Sequence, residues 1–286
     1  MKNLTADNMT EAVLKSAEGT ENPRAKEIMS SLIRHLHEFV REVRLTQEEW
    51  QIGLDYLYEA GQISNPERQE FILTSDTLGI SSLVDIINNV RDGATPSSVL
   101  GPFYIENSRK VEIGASLIGQ SEGTPTIVSG KVWNIAGEPV QGALVDVWHN
   151  ADNRLYEGQD PEQPENNLRC QMLTNRDGYY KFITTRPQSY QIPEDGPVGD
   201  MLRMQKRHAW RPAHIHYKVT AEGFEPLITA IYADDDPYLE EDAVFGVRES
   251  LIVPFRMIDS KEEAEKNKIP SPFCSVEFDF TLKSIQ

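Results

Sequence analysis

The spacing of apolar residues changes once along this 286-residue chain, and that change limits what it can fold into. Between Asn22 and Val90 apolar side chains recur at helical intervals: Ile28, Met29, Leu32, Ile33, Leu36, Phe39, Val40 and Val43 form one stripe. Thr46 with Glu49 three positions later has the form of a capping box and predicts a second helix carrying Trp50, Leu54 and Leu57. More helix is expected from Pro66 to Asn89. After the turn-rich stretch RDGATPSSVLGPFY the period becomes two. TIVSGKVW, ALVDVWHN, YYKFITT, AHIHYKVTA and LITAIYA read as strands, and Val276, Phe278, Phe280 and Leu282 alternate with polar residues near the end. The Asp-Gly of NRDGYY predicts a hairpin turn. The expected fold is mainly β: a helical segment and linker over residues 1–105, then an antiparallel sandwich or barrel over 106–286.

The formal charge of −17 leaves no basic stripe for nucleic acid or an anionic membrane, so a small or neutral partner is expected. Cys170 and Cys274 are too few for a disulfide framework or a thiolate metal site. The opening MKNLTADNMTEAV lacks the apolar core of a secretory signal, and no apolar run is long enough to span a membrane. A cytoplasmic protein is expected.

Two of the six histidines stand one residue apart in RPAHIHYKV. On a strand His214 and His216 share a face, with backbones ~7 Å apart, which suits a shared metal. His35 and His37 have the same spacing within a helical stripe, where it turns them about 200° apart, so they cannot readily share one. These two, with His149 and His208, read as surface or packed polar residues. For His214 and His216, a metal site and a pair of half-buried strand residues are equally good readings of the spacing alone. The third ligand is open too, because HExxH is absent and the many carboxylates single out none. Tyr156, just after ALVDVWHN, and Tyr190, in RPQSYQIPEDGP, bear on the choice. A hard trivalent cation strongly favours phenolate, and ferric iron fits mixed oxygen and imidazole ligation. A lone tyrosine serves packing equally well.

GALVDVWHNADNRLYEG, then SYQIPEDGP and RHAWRPAHIHYKV, resembles the active-site framework of the intradiol ring-cleaving dioxygenases. DPYLEEDAVFGVRESLIV, RHLHEFVREV, RQEFILTSDTLG and SSVLGPFY extend the resemblance over nearly the whole chain. It implies a β-sandwich holding a mononuclear non-haem Fe(III) through Tyr156, Tyr190, His214 and His216. It also implies an N-terminal helical domain at a homodimer interface. A phospholipid between the helical domains would be in keeping with the family, although helix packing explains the apolar stripe equally well. The implied substrates are a small aromatic diol or triol and dioxygen. Tyr190 would act as a proton acceptor and Arg211 as a fixed cation beside the ring; a salt bridge at the strand entrance is the plainer role for Arg211.

The resemblance implies a substrate pocket of Leu73, Asp76, Val99, Gly101, Pro102, Phe103, Ile192, Pro193, Arg211 and Val244. An acid at Asp76 is similar to the hydroxyquinol-cleaving branch, where it would accept a hydrogen bond from the third hydroxyl of 1,2,4-trihydroxybenzene and disfavour a ring lacking it. Asp76 as a helix cap, and catechol as substrate, are the alternatives. One position departs: Ala230 stands where catechol-cleaving members commonly carry glutamine, which removes a polar contact but no metal ligand. A non-catalytic β-sandwich binding module and a zinc hydrolase are readings from other classes.

Overall fold

The computed structural model describes residues 3–65, 68–89, 93–119 and 121–285, which fall into two compact units, Met1–Glu59 and Ala60–Gln286. The first holds α1 (Met9–Ser16), α2 (Pro23–Val43) and most of α3 (Gln47–Ile63). Asn22 caps α2 by accepting from the Arg24 and Ala25 amides, with Pro23 in the first turn. The expected capping box is formed: Glu49 Oε2 accepts from the Thr46 amide at 2.9 Å, and Thr46 Oγ1 accepts from the Glu49 amide at 3.2 Å. On the apolar stripe of α2, Ile28, Met29, Leu32, Leu36, Phe39, Val40 and Val43 are 44–52% exposed.

The second unit begins with α4 (Glu70–Thr77) and α5 (Ile80–Asn88), joined through Gly79 at φ +72°. By contacts these helices belong with the strands, so the compact boundary falls after Glu59 rather than where the period changes. Pro66 and Val90, the ends of the expected helical stretches, lie outside the described residues.

One main sheet runs β1 (Ala115–Ser116), β5 (Tyr179–Thr185), β2 (Pro125–Asn134), β12 (Phe273–Glu277) and β11 (Arg256–Ile258), with β13 (Phe280–Leu282) also on β2. The other runs β10 (Ile252–Val253), β9 (Leu227–Ala233), β8 (His214–Thr220), β3 (Leu144–Trp148) and β4 (Arg169–Leu173). A short antiparallel pair joins β6 (Tyr190–Gln191) to β7 (Trp210–Arg211). Two further helices, α6 (Pro197–Met204) and α7 (Lys261–Asn267), lie between strands. Val128, Val132, Tyr180, Phe182 and Phe280 from the first sheet share one buried cluster with Val145, Val147, Ile215, Tyr217 and Ile231 from the second.

Two expectations are corrected. The sheets are mixed rather than purely antiparallel: β1 with β5, β10 with β9, and both β12 and β13 with β2 pair in parallel. Parallel partners require long returns, and β12 comes back beside β2 more than a hundred residues later, which no local pattern encodes. The Asp-Gly turn forms, with Gly178 at φ +71°, but it is not a hairpin, since β4 pairs with β3 whereas β5 pairs with β2 and β1.

The final alternating run is also two strands. It breaks at Phe278 and Asp279, where the Asp279 carboxylate accepts from the Lys131 amide at 2.7 Å and from Trp133 Nε1 at 2.9 Å. Gly130 makes this crossing possible, because a Cβ there would lie 1.8 Å from the Phe278 carbonyl oxygen. Backbone on the opposing side cannot swing away as a side chain would. Gly130→Ala is therefore expected to cost about 1–3 kcal/mol in urea unfolding; a midpoint equal to that of the parent would refute this account of the crossing.

Candidate metal centre

β8 is a strand with two working faces. Ile215, Tyr217 and Val219 point into the intersheet cluster, so alternation sends His214, His216 and Lys218 to the opposite face. Register completes that face: His216 lies between Trp148 of β3 and Ala230 of β9, and His214 lies opposite Tyr232. Trp148 stacks on the His216 ring with centroids 4.9 Å apart and planes 6° from parallel.

Tyr156 follows β3 in a loop closed by mutual hydrogen bonds with Gln159. The buried ion pair of Arg169 with Glu157, at 2.5 Å, fixes this loop, and Arg169 also donates to the Phe103 carbonyl at 3.3 Å. Phe103 is thereby held against Tyr156, their rings stacked at 4.4 Å, and meets the Tyr190 ring edge-on at 6.3 Å. Tyr190 on β6 pairs with Arg211 on β7, bringing that phenol beside the guanidinium.

The four side chains converge. Tyr156 Oη is 3.4 Å from His214 Nε2, which is 2.9 Å from His216 Nε2, and Arg211 Nη1 lies 3.5 Å from Tyr190 Oη and 3.4 Å from His214 Nε2. His214 Nδ1 sits 2.7 Å from the Pro212 carbonyl, so it carries the proton and leaves Nε2 with a free lone pair. Burial, reinforced by Arg211, pushes His214 down to about 3. Burial and then the neighbouring His214 hold His216 well below its usual range. Both rings are neutral, the form that ligates metals. Burial pushes the Tyr156 and Tyr190 phenols up, a cost that a cation among the four donors would reverse. No group of three or more His, Cys, Asp or Glu side chains suited to a metal occurs among the described residues. The histidine pair is completed by phenols, and two phenols with two imidazoles fit ferric iron.

Arg211 is 2% exposed and forked onto Asp242 through Nε–Oδ1 at 3.0 Å and Nη2–Oδ2 at 3.3 Å. Burial opposes the Arg211 charge, but Asp242 outweighs it and keeps the guanidinium protonated; burial likewise pushes Asp242 up, and Arg211 overrides it to hold the carboxylate below its usual value. The salt-bridge role and a position beside the centre therefore coexist in Arg211.

Leu73, Val99, Ile192 and Val244 join Tyr156 and Tyr190 in one buried cluster, with Phe103 packed against it. Gly101, at φ +72°, lies over His216, where a Cβ would be 3.6 Å from Cε1 and Nε2. Asp76, Val99 and Gly101 line a cavity of about 560 Å³ with Ile72, Ser81 and Ile228. Asp76 is 3% exposed; burial raises its pKa, Ser81 and Arg211 pull it down, and Asp242 pushes it up. It is the last acid of α4 and not an N-terminal cap. Pro102 and Pro193 are half-buried in the loops that carry Gly101, Phe103 and Ile192.

The other histidines lie on other elements or have other hydrogen-bond partners. His35 and His37 lie on α2, His208 pairs with Glu241, and buried His149 bonds the Asn150 carbonyl and Thr184 Oγ1. Sequence reasoning missed Trp148, Asp242 and Tyr232. Trp148 and Tyr232 do sit at alternation positions opposite the core-facing residues of β3 and β9, a signal available in the sequence; Asp242, in a loop full of acids, had none.

The chain matches the family model described as Dioxygenase over residues 99–284 and that described as Catechol dioxygenase N terminus over residues 22–95. It is 43% identical over 279 residues to a hydroxyquinol 1,2-dioxygenase of Rhizobium sp., covering 96% of this chain and 95% of that one. It is 44% identical over 257 residues to a 6-chlorohydroxyquinol 1,2-dioxygenase of Cupriavidus pinatubonensis, covering 88% and 92% respectively. The solved structure of a hydroxyquinol 1,2-dioxygenase from Pseudomonas putida DLL-E4 superposes with a TM-score of 0.91 at 44% identity, covering 98% of this chain and 99% of that one. With so much of its length shared, and not the ligand-bearing motifs alone, the chain belongs to the intradiol ring-cleavage dioxygenases, a family of iron-dependent enzymes.

Proposed function

We propose that this chain cleaves hydroxyquinol with dioxygen between its two adjacent hydroxyl-bearing carbons. Both oxygen atoms enter the product, 3-hydroxy-cis,cis-muconate, which tautomerises to maleylacetate, so no external reductant is required. Tyr156, Tyr190, His214 and His216 would hold a mononuclear ferric ion, which when bound supplies a Lewis acid and electron acceptor for an ionised aromatic diol. As the phenolate that a bound cation would favour, Tyr190 Oη, 3.5 Å from Arg211 Nη1, is placed to take a proton from a ring hydroxyl and become the neutral phenol, with the guanidinium stabilising the negative charge left on the ring oxygen. Arg211 then faces negative charge developing on the ring. Leu73, Val99, Ile192 and Val244 exclude water around it, and Phe103 keeps Tyr156 in place.

The observation that carries hydroxyquinol over catechol is Asp76, buried in the wall of the cavity that reaches Gly101 above His216. An ionised carboxylate there gains from a third ring hydroxyl and loses from its absence. Relatives bearing the names hydroxyquinol and 6-chlorohydroxyquinol dioxygenase support the same choice.

We also read the two sheets with their common core as a β-sandwich catalytic domain spanning 106–286, and 1–105 as the helical dimerisation domain and linker. The half-exposed stripe of α2 supports a homodimer, and a phospholipid between the helical domains would cover the same stripe. Free, buried Cys170 and Cys274 accord with the cytoplasm. No helix among the described residues is long and apolar enough to cross a membrane.

Metal analysis and a visible spectrum of the purified protein test the centre: iron with a phenolate-to-iron band is expected, and Tyr156→Phe and Tyr190→Phe should each alter that band. A colourless zinc protein would overturn the assignment. Steady-state comparison of hydroxyquinol with catechol tests the substrate, and a large preference for catechol would reject it.

Asp76→Ala should lower kcat/KM for hydroxyquinol about 10- to 100-fold, the worth of a charged hydrogen bond at about 1.5–3 kcal/mol, and leave catechol nearly unchanged. Equal losses on both would remove the recognition role.

Because burial raises the Asp76 pKa in the fold, its ionised form costs stability above that pKa, and the cost disappears as pH falls through it. Asp76→Asn should therefore raise the denaturation midpoint at pH 7 by an amount that shrinks on acidification. The hydroxyquinol-to-catechol ratio of the parent enzyme should fall over the same interval. A ratio that stays flat to pH 4 would contradict this reading.

A further inference from the structure

We propose that Asp242 is a positioning residue for ring cleavage: its carboxylate aims Arg211 through both oxygens and, through Oδ1, holds Val244 in the buried cluster it shares with Tyr156 and Tyr190. Oδ1 accepts from Arg211 Nε at 3.0 Å and from the Val244 amide at 3.3 Å. Oδ2 accepts from Arg211 Nη2 at 3.3 Å and from the Gly246 amide at 2.9 Å. Each oxygen thus serves one guanidinium nitrogen and one loop amide. The edge of Arg211 left over is Nη1, the nitrogen beside Tyr190 Oη and His214 Nε2. Turning the carboxylate would turn that edge and shift Val244 within the Tyr156 and Tyr190 cluster together.

The loop has little freedom to absorb such a change. Ser82 Oγ donates to the Phe245 carbonyl at 2.8 Å, Ser98 Oγ to the Gly246 carbonyl at 2.7 Å, and Arg207 to the Ala243 carbonyl at 2.9 Å. Phe245 is held at φ +57°, a conformation bulky residues avoid, and sits under the Arg207 cation. Gly246 admits the guanidinium, since a Cβ there would come 2.9 Å from both Arg211 Nη2 and Tyr232 Oη. Asp242 touches none of the four proposed iron ligands, and it acts through Arg211 and Val244.

This inference rests on the proposed ring cleavage, and its test separates the two. Full-length, iron-loaded parent, Asp242→Asn, Arg211→Gln and the double variant are compared for iron content, visible spectrum, kcat and KM with hydroxyquinol. Asp242→Asn is expected to retain iron, lose at least tenfold in kcat and shift the phenolate-to-iron band, because Nη1 is no longer held at Tyr190. The double variant should be slower than Arg211→Gln alone by far less than the full Asp242→Asn factor, since most of the Asp242 effect passes through Arg211 and only the Val244 contact remains to be lost. A kcat within twofold of the parent with an unmoved band, or losses that multiply in the double variant, would overturn the positioning role. Should Asp242→Asn fail to fold, Gly246→Ala replaces it: the carboxylate stays while the added methyl displaces Arg211, and a slower enzyme with a shifted band supports the role whereas parental behaviour overturns it. A parent that opens no aromatic ring would overturn both readings; an active parent indifferent to these changes would overturn this one alone.

Discussion

Everything at this centre depends on the alternation of β8 between two buried environments. One face must complete an apolar core, and Ile215, Tyr217 and Val219 do so; the other must keep His214 and His216 dry without leaving polar atoms stranded. The second demand is the harder one, because buried polar groups are costly unless partnered. The chain meets it in part: His214 has the Pro212 carbonyl on Nδ1 and the tips of Tyr156, Arg211 and His216 within 3.4 Å of Nε2, whereas His216 Nδ1 and the Nε1 of Trp148, stacked on the His216 ring, are buried without a hydrogen-bond partner among the described residues. The four candidate donor atoms are therefore gathered by the same packing that buries them.

This environment makes a cation the natural complement of the site. Neutral imidazoles and high-pKa phenols are what a buried pocket produces by itself. An ion of high charge changes the sign of the phenol contribution, since phenolate beside it is favoured where phenolate alone is penalised. A fixed positive charge already stands nearby, yet Arg211 does not compete for the centre because Asp242 neutralises it through both oxygens. The negative net charge of the chain plays no part in this balance, which is set within a few ångströms by paired groups.

Local pattern revealed the change from helix to strand, the capping box of α3 and the shared face of His214 and His216, each a property of residues close in sequence. The tyrosines needed more, since 58 residues separate the phenol of Tyr156 from His214 and only the surrounding motifs tie them together. Parallel pairing was hidden for the same reason: β2 and β12 meet across most of the domain, and nothing in either strand encodes the other's direction. The apparent hairpin at Asn175–Gly178 shows the converse, for a turn fixes the local path of the chain but not which sheet the next strand joins. Asp242 was illegible because a loop carboxylate looks the same whether it is solvated or forked onto a buried arginine.

On the proposed function, selection of the ring and chemistry on the ring would come from different parts of the second unit. The proposed ligands sit on β8, on β6 and on the loop after β3, whereas Asp76 reaches the cavity from α4 and is set by Ser81 on α5. Helices can exchange a side chain at such a position without altering strand register, so substrate preference can change while the four donors keep their places. Ala230 is the exception, since it lies directly opposite His216 on β9 and is fully buried. A longer polar side chain there would enter the face that holds the imidazoles, where it must find partners or pay the desolvation cost. On the proposed function, changes at Ala230 would thus act on the centre itself, and changes at Asp76 on what is brought to it.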